Sequence, residues 1–151
     1  ETYIDPAEET VIKFREVSDS LLRKFNMISR DQRYSLGVSL AQSQIMDILA
    51  KEGPLPMSTL ASRLGVAPST ATRTIDILVR KKLASRSESC SDRRKVCMEL
   101  TRKGIDLLCE CNKSRYSYAK LFLDTMTRGN REYVLSALSI LDDSIGKILP
   151  L

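Results

Sequence analysis

The chain of 151 residues is 42% hydrophobic and 28% charged with a net charge of +5, proportions of an ordinary globular chain with enough apolar material for one core. It has no run near the roughly 18 apolar residues that span a bilayer, and Glu8 and Glu9 are unlike the start of a signal peptide, so a cytoplasmic protein of a single domain is expected. With no histidine, Ser-His-Asp and Cys-His chemistry and histidine-containing metal sites are excluded; no catalysis, cofactor or metal is expected.

From about Asp5 to Arg30, Phe14, Val17, Leu21, Phe25 and Ile28 recur at steps of three or four, which predicts an amphipathic first helix. The stretch from Asp31 to Val38 lacks that period. Ser39 and Gln42 have the spacing of a capping box, so a second helix is expected from there to about Lys51 with Leu40, Ile45, Ile48 and Leu49 inward. Gly53, Pro54 and Pro56 stop it, and Leu55 to Met57 has the composition of a short strand.

Ser58 is the expected cap of a third helix that closes near Gly65. Pro68 suits the first position of a fourth helix, because its missing N–H has no partner there in any case. That helix runs to about Lys81. Ala71, Ile75 and Leu78 share its inner face, leaving Ser69, Thr72, Arg73, Asp76 and Arg80 outward. Two short helices around a tight turn make a helix-turn-helix pattern. Short hydroxyl residues such as Ser69, Thr70 and Thr72 let a helix approach base edges, and Arg73 suits guanine or phosphate.

A hairpin follows. One strand lies at about Leu83 to Glu88; in the other, Val96, Met98 and Leu100 alternate with Lys95, Cys97 and Glu99, with the former set expected inward. The turn between them carries Arg93, Arg94 and Lys95, long cations suited to a minor groove or to straddling phosphates. Residues 58 to 103 hold 11 Lys and Arg against 4 Asp and Glu, so this segment is +7 and the rest of the chain −2. Such localised charge is the footprint of a phosphate-backbone reader. After Thr101, an expected N-cap, a long helix reads through Ile105, Leu108, Asn112, Tyr116, Ala119, Leu123 and Met126 and is closed by Gly129. A last helix carries Val134, Leu138, Leu141, Ile145 and Ile148. The terminal helices exceed what the small lobe needs for its own core, which suggests a dimerisation layer.

The order and spacing of these residues resemble the MarR family of winged helix-turn-helix transcriptional regulators. Asp92, Arg94, Leu100, Thr101 and Gly104 match the family's wing pattern, Arg86 falls at the end of the first wing strand, and Ala71, Thr72, Arg73 and Ile75 match the recognition helix. The resemblance implies a mainly α (α+β) fold. A winged lobe over about residues 38–104 would have a two-stranded wing, with helices over about 5–30 and 102–149 forming the dimer layer. It further implies a homodimeric repressor on a pseudo-palindromic operator of double-stranded DNA. The DNA-facing residues would be Ser69, Thr70, Thr72, Arg73, Arg80, Arg86, Arg93, Arg94 and Lys95, with Asp92 fixing the wing. Lys82 departs from the pattern, since many relatives have glycine there, and a left-handed residue at that point is costlier for lysine.

Regulators of this type commonly respond to a small aromatic or phenolic effector; Tyr34, Arg115 and Tyr116, with Tyr118 nearby, are the residues placed to line such a cleft. Cys109 and Cys111, two apart on one helix, point in different directions and cannot easily pair. Cys90, beside Arg93, Arg94 and Lys95, is placed for an oxidation-sensing thiolate, one alternative to effector relief. The other alternative is a winged-helix module whose basic face meets an acidic protein.

Overall fold

The computed structural model describes residues 6–87 and 96–148, apart from the side chains of residues 6, 29 and 31–34. The chain divides into two compact units, residues 1–40 and 41–151. Among its described residues the first holds the helix α1 (Pro6–Leu36). It outruns the predicted end by six residues, because the loss of hydrophobic period after Arg30 removes an apolar face without supplying a helix breaker; Gly37, at φ 70°, lies just past its end. The apolar row of α1 is solvent-facing, with Phe14 57% and Phe25 58% exposed.

The second unit comprises α2 (Leu40–Glu52), β1 (Leu55–Pro56), α3 (Met57–Leu64), α4 (Pro68–Arg80), β2 (Ala84–Ser87), β3 (Cys97–Leu100), α5 (Arg102–Asp124) and α6 (Arg128–Ile148). Its core is built from Ile45, Met46 and Leu49 of α2, Leu60 and Ala61 of α3, Ala71, Ile75 and Leu78 of α4, Leu83, the sheet residues Ala84, Cys97 and Met98, and Leu108 and Cys111 of α5. On α2, Ile45 and Leu49 are buried as expected and Ile48 is partly so. Leu40, expected inside, is exposed, and Gln42 and Ser43 are buried instead. Leu40 opens the helix, one residue past Ser39, at the edge of the packed face.

Both glycine and proline signals hold in the helix-turn-helix. Gly65 takes the left-handed conformation (φ 62°, ψ 31°) that closes α3, and Pro68 opens α4. Ser58, however, is not the cap of α3; Pro56, extended at φ −62° and ψ 151°, holds that position without a side-chain hydrogen bond, and the helix begins two residues early at Met57.

The sheet has three antiparallel strands in the order β1-β3-β2 rather than a hairpin alone. Leu55 pairs with Met98 and Pro56 with Cys97, while Ala84, Ser85, Arg86 and Ser87 pair with Leu100, Glu99, Met98 and Cys97. The expected alternation does not hold along β3. Cys97 and Met98 are both buried, and Val96, expected inside, is 56% exposed just ahead of the strand.

Gly129 does not close α5; it lies in the first turn of α6. The α5 terminus is finished by its own polar groups. Thr125 Oγ1 donates to the Phe122 carbonyl at 2.7 Å, and Arg131 Nε reaches back to the Leu123 and Met126 carbonyls at 2.9 and 3.3 Å. Thr127 then starts α6, accepting from Asn130 N at 3.4 Å through its hydroxyl and from Arg131 N at 3.1 Å through its carbonyl. No described residue of α6 is fully buried, and Leu138, Ile145 and Ile148 are exposed.

Candidate nucleic-acid interface

Helix α4 is positioned from below. Ala71, Ile75 and Leu78 recur on one face of α4 and are almost fully buried, at roughly 1.5–3 kcal/mol for each large side chain. This burial fixes the opposite face toward solvent; Ser69, Thr72, Arg73, Asp76 and Arg80 are exposed, as the periodicity predicted, and Thr70 is exposed with them. Within that row, Thr72 Oγ1 donates to the Pro68 carbonyl at 2.9 Å, and Thr74 Oγ1 donates likewise to Thr70. With its hydroxyl hydrogen engaged in its own helix, Thr72 offers outward an acceptor oxygen and a methyl group. Among the described residues, no carboxylate lies in ion-pairing range of Arg73, Arg80 or Arg86, so each guanidinium is available to an external anion.

Arg86, exposed on β2, comes to the same place as the helix. It lines a groove of about 270 Å³ with Thr72, Ile75, Asp76, Val79 and Met98, between the outer edge of α4 and the sheet. Asp92, Arg93, Arg94, Lys95 and Cys90 lie outside the described residues.

The base of the hairpin explains why Leu100, Thr101 and Gly104 occur together. Thr101, extended at φ −78° and ψ 166°, accepts a 3.0 Å hydrogen bond from Gly104 N and so caps α5. The same hydroxyl donates to the Lys82 carbonyl at 2.7 Å, and Thr101 N donates to the Leu83 carbonyl at 3.1 Å. A side chain at 104 would collide with that Leu83 carbonyl, which only glycine avoids. Lys103 Nζ adds a bond to the Lys81 carbonyl at 3.2 Å. Together these contacts tie the start of α5 to the turn leaving α4. In that turn Lys82 sits at φ 58°, the left-handed geometry anticipated to be costly for a lysine.

Of the residues named for an effector, Arg115 and Tyr116 have different surroundings. Arg115 Nη1 donates to Asp47 Oδ2 at 2.7 Å, whereas Tyr116 is 72% exposed and Tyr118 is also exposed; the side chain of Tyr34 lies outside the described residues. Asp47 escaped the sequence reading because 68 residues separate it from its partner, a distance over which spacing carries no signal. Cys109 is exposed and Cys111 buried, both free thiols, as their helical offset required. Burial pushes the Cys111 thiol up from its ordinary pKa, with nearby Arg115 opposing. Cys97 is disulfide-bonded.

A glycine-capped turn between two helices, a polar and cationic outer face on the second, and a hairpin secured behind it define a winged helix-turn-helix protein. The model of the MarR family matches residues 38–96. The HTH-type transcriptional regulator Mb0904 of Mycobacterium bovis is 30% identical over 124 residues, 78% of this chain and 87% of that protein. The HTH-type transcriptional repressor MdtR of Bacillus subtilis is 34% identical over 92 residues, 59% of each. In structure, Streptococcus pneumoniae FabT in complex with DNA superposes with a TM-score of 0.77 at 20% identity, over 90% of this chain and 99% of that one, a likeness of fold. The chain belongs to the MarR family and is a transcriptional regulator of that type.

Proposed function

We propose that the protein is a homodimeric, sequence-specific repressor of a pseudo-palindromic operator, with α4 in the major groove and the wing in the adjacent minor groove. The observation that carries this reading is the outer face of α4. It joins short hydroxyl residues near the helix start to Arg73 and Arg80, with no internal ion-pair partner for either among the described residues, in the segment that holds more than the chain's whole net charge. Ser69, Thr70, Thr72 and Arg73 contact bases or nearby phosphates. Arg80 and Arg86 contact phosphates, as do Arg93 and Lys95, while Arg94 enters the minor groove from a wing fixed by Asp92. The exposed apolar rows of α1 and α6 support the dimer, with a DNA-binding lobe over about 38–104 and a helical lobe over about 5–30 and 102–149. The name of MdtR supports repression, and the complex of FabT with DNA supports DNA as the partner. Relief comes from a small aromatic or phenolic effector held near Tyr34, Arg115 and Tyr116, and the protein works in the cytoplasm.

Selection of bound fragments from random or genomic DNA tests the reading and yields the half-site separation, expected near one helical turn, about 34–36 Å. With that operator, affinity falls steeply with salt, and changing one half-site abolishes specific binding. Arg73→Ala weakens specific binding more than non-specific binding, and Arg94→Ala weakens both. If both variants bind as the parent does, the contact face is wrong. Binding to an acidic protein with no operator preference identifies the interaction-module alternative instead.

Oxidation sensing through Cys90 is a second reading, favoured by one observation. Cys90 stands beside Arg93, Arg94 and Lys95 in the sequence, cations that favour its thiolate. Two thiols closing to a disulfide release two electrons and two protons, which a peroxide accepts as its O–O bond breaks. Peroxide then lowers operator affinity in the parent but not in Cys90→Ser; unchanged affinity with Cys90 shown to be modified rules it out.

A further inference from the structure

The described ion pairs are mostly exposed or local to one helix, with one exception. Asp47 on α2 and Arg115 on α5 pair at 2.7 Å, with side chains only 23% and 35% exposed. Their surroundings are unusually polar for a helix seam: Gln42 and Ser43 are buried on α2, and Cys111 is buried on α5 one turn before Arg115. The pairing is also incomplete. Arg115 Nη2 is buried and has no hydrogen-bond partner among the described residues, a donor that would ordinarily be satisfied or solvated.

Apolar side chains of similar volume would hold α2 against α5 as firmly as such a pair does. What the pair adds is a directional constraint, since a guanidinium and a carboxylate meet well in few orientations. Its position gives that constraint leverage. α5 is 23 residues long, about 35 Å. It is fixed at its first turn to the α4–β2 turn through Thr101 and Gly104, and held again about 20 Å further along by Arg115. Beyond Arg115 it displays exposed Leu121 and Phe122.

We infer that the Asp47–Arg115 pair is a positioning joint that sets the angle of the DNA-reading lobe on α5, and hence the separation of the two α4 helices in the dimer, without either residue touching DNA. The inference rests on the dimeric operator reading above. A half-open guanidinium is a constraint that can be released as well as made, so the joint is a point at which spacing is adjusted.

The test uses the full chain, the selected operator, the same operator with its half-sites moved apart or together by one base pair, and a duplex carrying a single half-site. Asp47→Asn and Arg115→Lys remove the charge or the fork with little change in volume. Each is expected to weaken the native-spacing operator by about ten-fold or more, to flatten the preference among spacings, and to leave half-site affinity within about two-fold of the parent. The double variant Asp47→Arg with Arg115→Asp restores part of the full-site affinity and the spacing preference. Equal losses on half-site and full site mean that the pair merely stabilises the lobe, and unchanged full-site affinity means that it sets no spacing; either result overturns the proposal. A parent that binds the full site no better than the half-site refutes the dimeric reading itself, and the joint with it.

Discussion

Gly104→Ala tests the packing at the base of the wing directly. The added methyl would overlap the Leu83 carbonyl and approach Leu100 Cδ2 at 3.3 Å. The carbonyl cannot simply retreat, because it also accepts from Thr101 N at 3.1 Å while the neighbouring Lys82 carbonyl accepts from Thr101 Oγ1 at 2.7 Å. Shifting α5 to make room weakens both bonds, at a net cost of about 1 kcal/mol each, and disturbs the Thr101 cap, at about 1 kcal/mol more. Alanine's better helix propensity offsets about 1 kcal/mol, leaving the variant about 2 kcal/mol less stable. For a chain of this length that corresponds to roughly 4–8 °C in Tm. Urea unfolding at fixed protein concentration measures it. Gly129→Ala in α6, where a methyl meets nothing within 4 Å, is the control and should be neutral to stabilising by about 0.5–1 kcal/mol. If Gly104→Ala unfolds at the same urea concentration as the parent or higher, the close approach of α5 to the α4–β2 turn is not a rigid constraint and the account of this motif fails.

Lys82→Gly removes a left-handed lysine, worth about 1–2 kcal/mol of strain, but adds unfolded-chain entropy worth about 0.5–1 kcal/mol; a net gain of about 0.5 kcal/mol is expected in the same urea assay, and a loss would mean that the lysine side chain outweighs its backbone. Thiol alkylation of the native chain should modify exposed Cys109 well before buried Cys111, read by peptide mass. Because burial raises the Cys111 pKa in the folded state, the folded chain holds that proton more tightly than the unfolded one. The associated stability is complete below the unfolded thiol pKa and is lost as pH rises through the folded value. Stability should therefore fall on the alkaline side in the parent and fall less in Cys111→Ala.

Local signals carried the helix-turn-helix because its turn is written in residues with few conformational options. Gly65 and Pro68 act through their own backbones, and the Ala71, Ile75 and Leu78 row needs only helical period to find its face. Simple alternation misplaces Val96 and Cys97, because β3 begins only at Cys97 and buries Cys97 and Met98 in succession, while Val96 lies ahead of it. A distant partner hid the α2–α5 joint: Arg115 was visible as a cation in a long helix, but the carboxylate that holds it lies on another element. Gly129 misled for the opposite reason. Its flexibility suggested a stop, whereas the stop is built from Thr125, Thr127 and the reach of Arg131 back to two carbonyls.

The residues that carry the family resemblance are of two physically different kinds, those that hold the base of the wing and those assigned to read DNA. Thr101 and Gly104 face inward to a turn with one workable geometry: the threonine hydroxyl both accepts from the α5 backbone and donates to Lys82, and the glycine has no room for a side chain. Replacing either costs the fold whatever the operator is. Ser69 and Arg73 carry no such obligation. Both are exposed, so other residues could stand there with little effect on stability and, on the proposed reading, a large effect on the sequence bound. The lock at the base of the wing and the polar joint further along α5 therefore confine what the lobe can do in space. On the proposed reading, the outer face of α4 is left to determine which DNA the lobe binds.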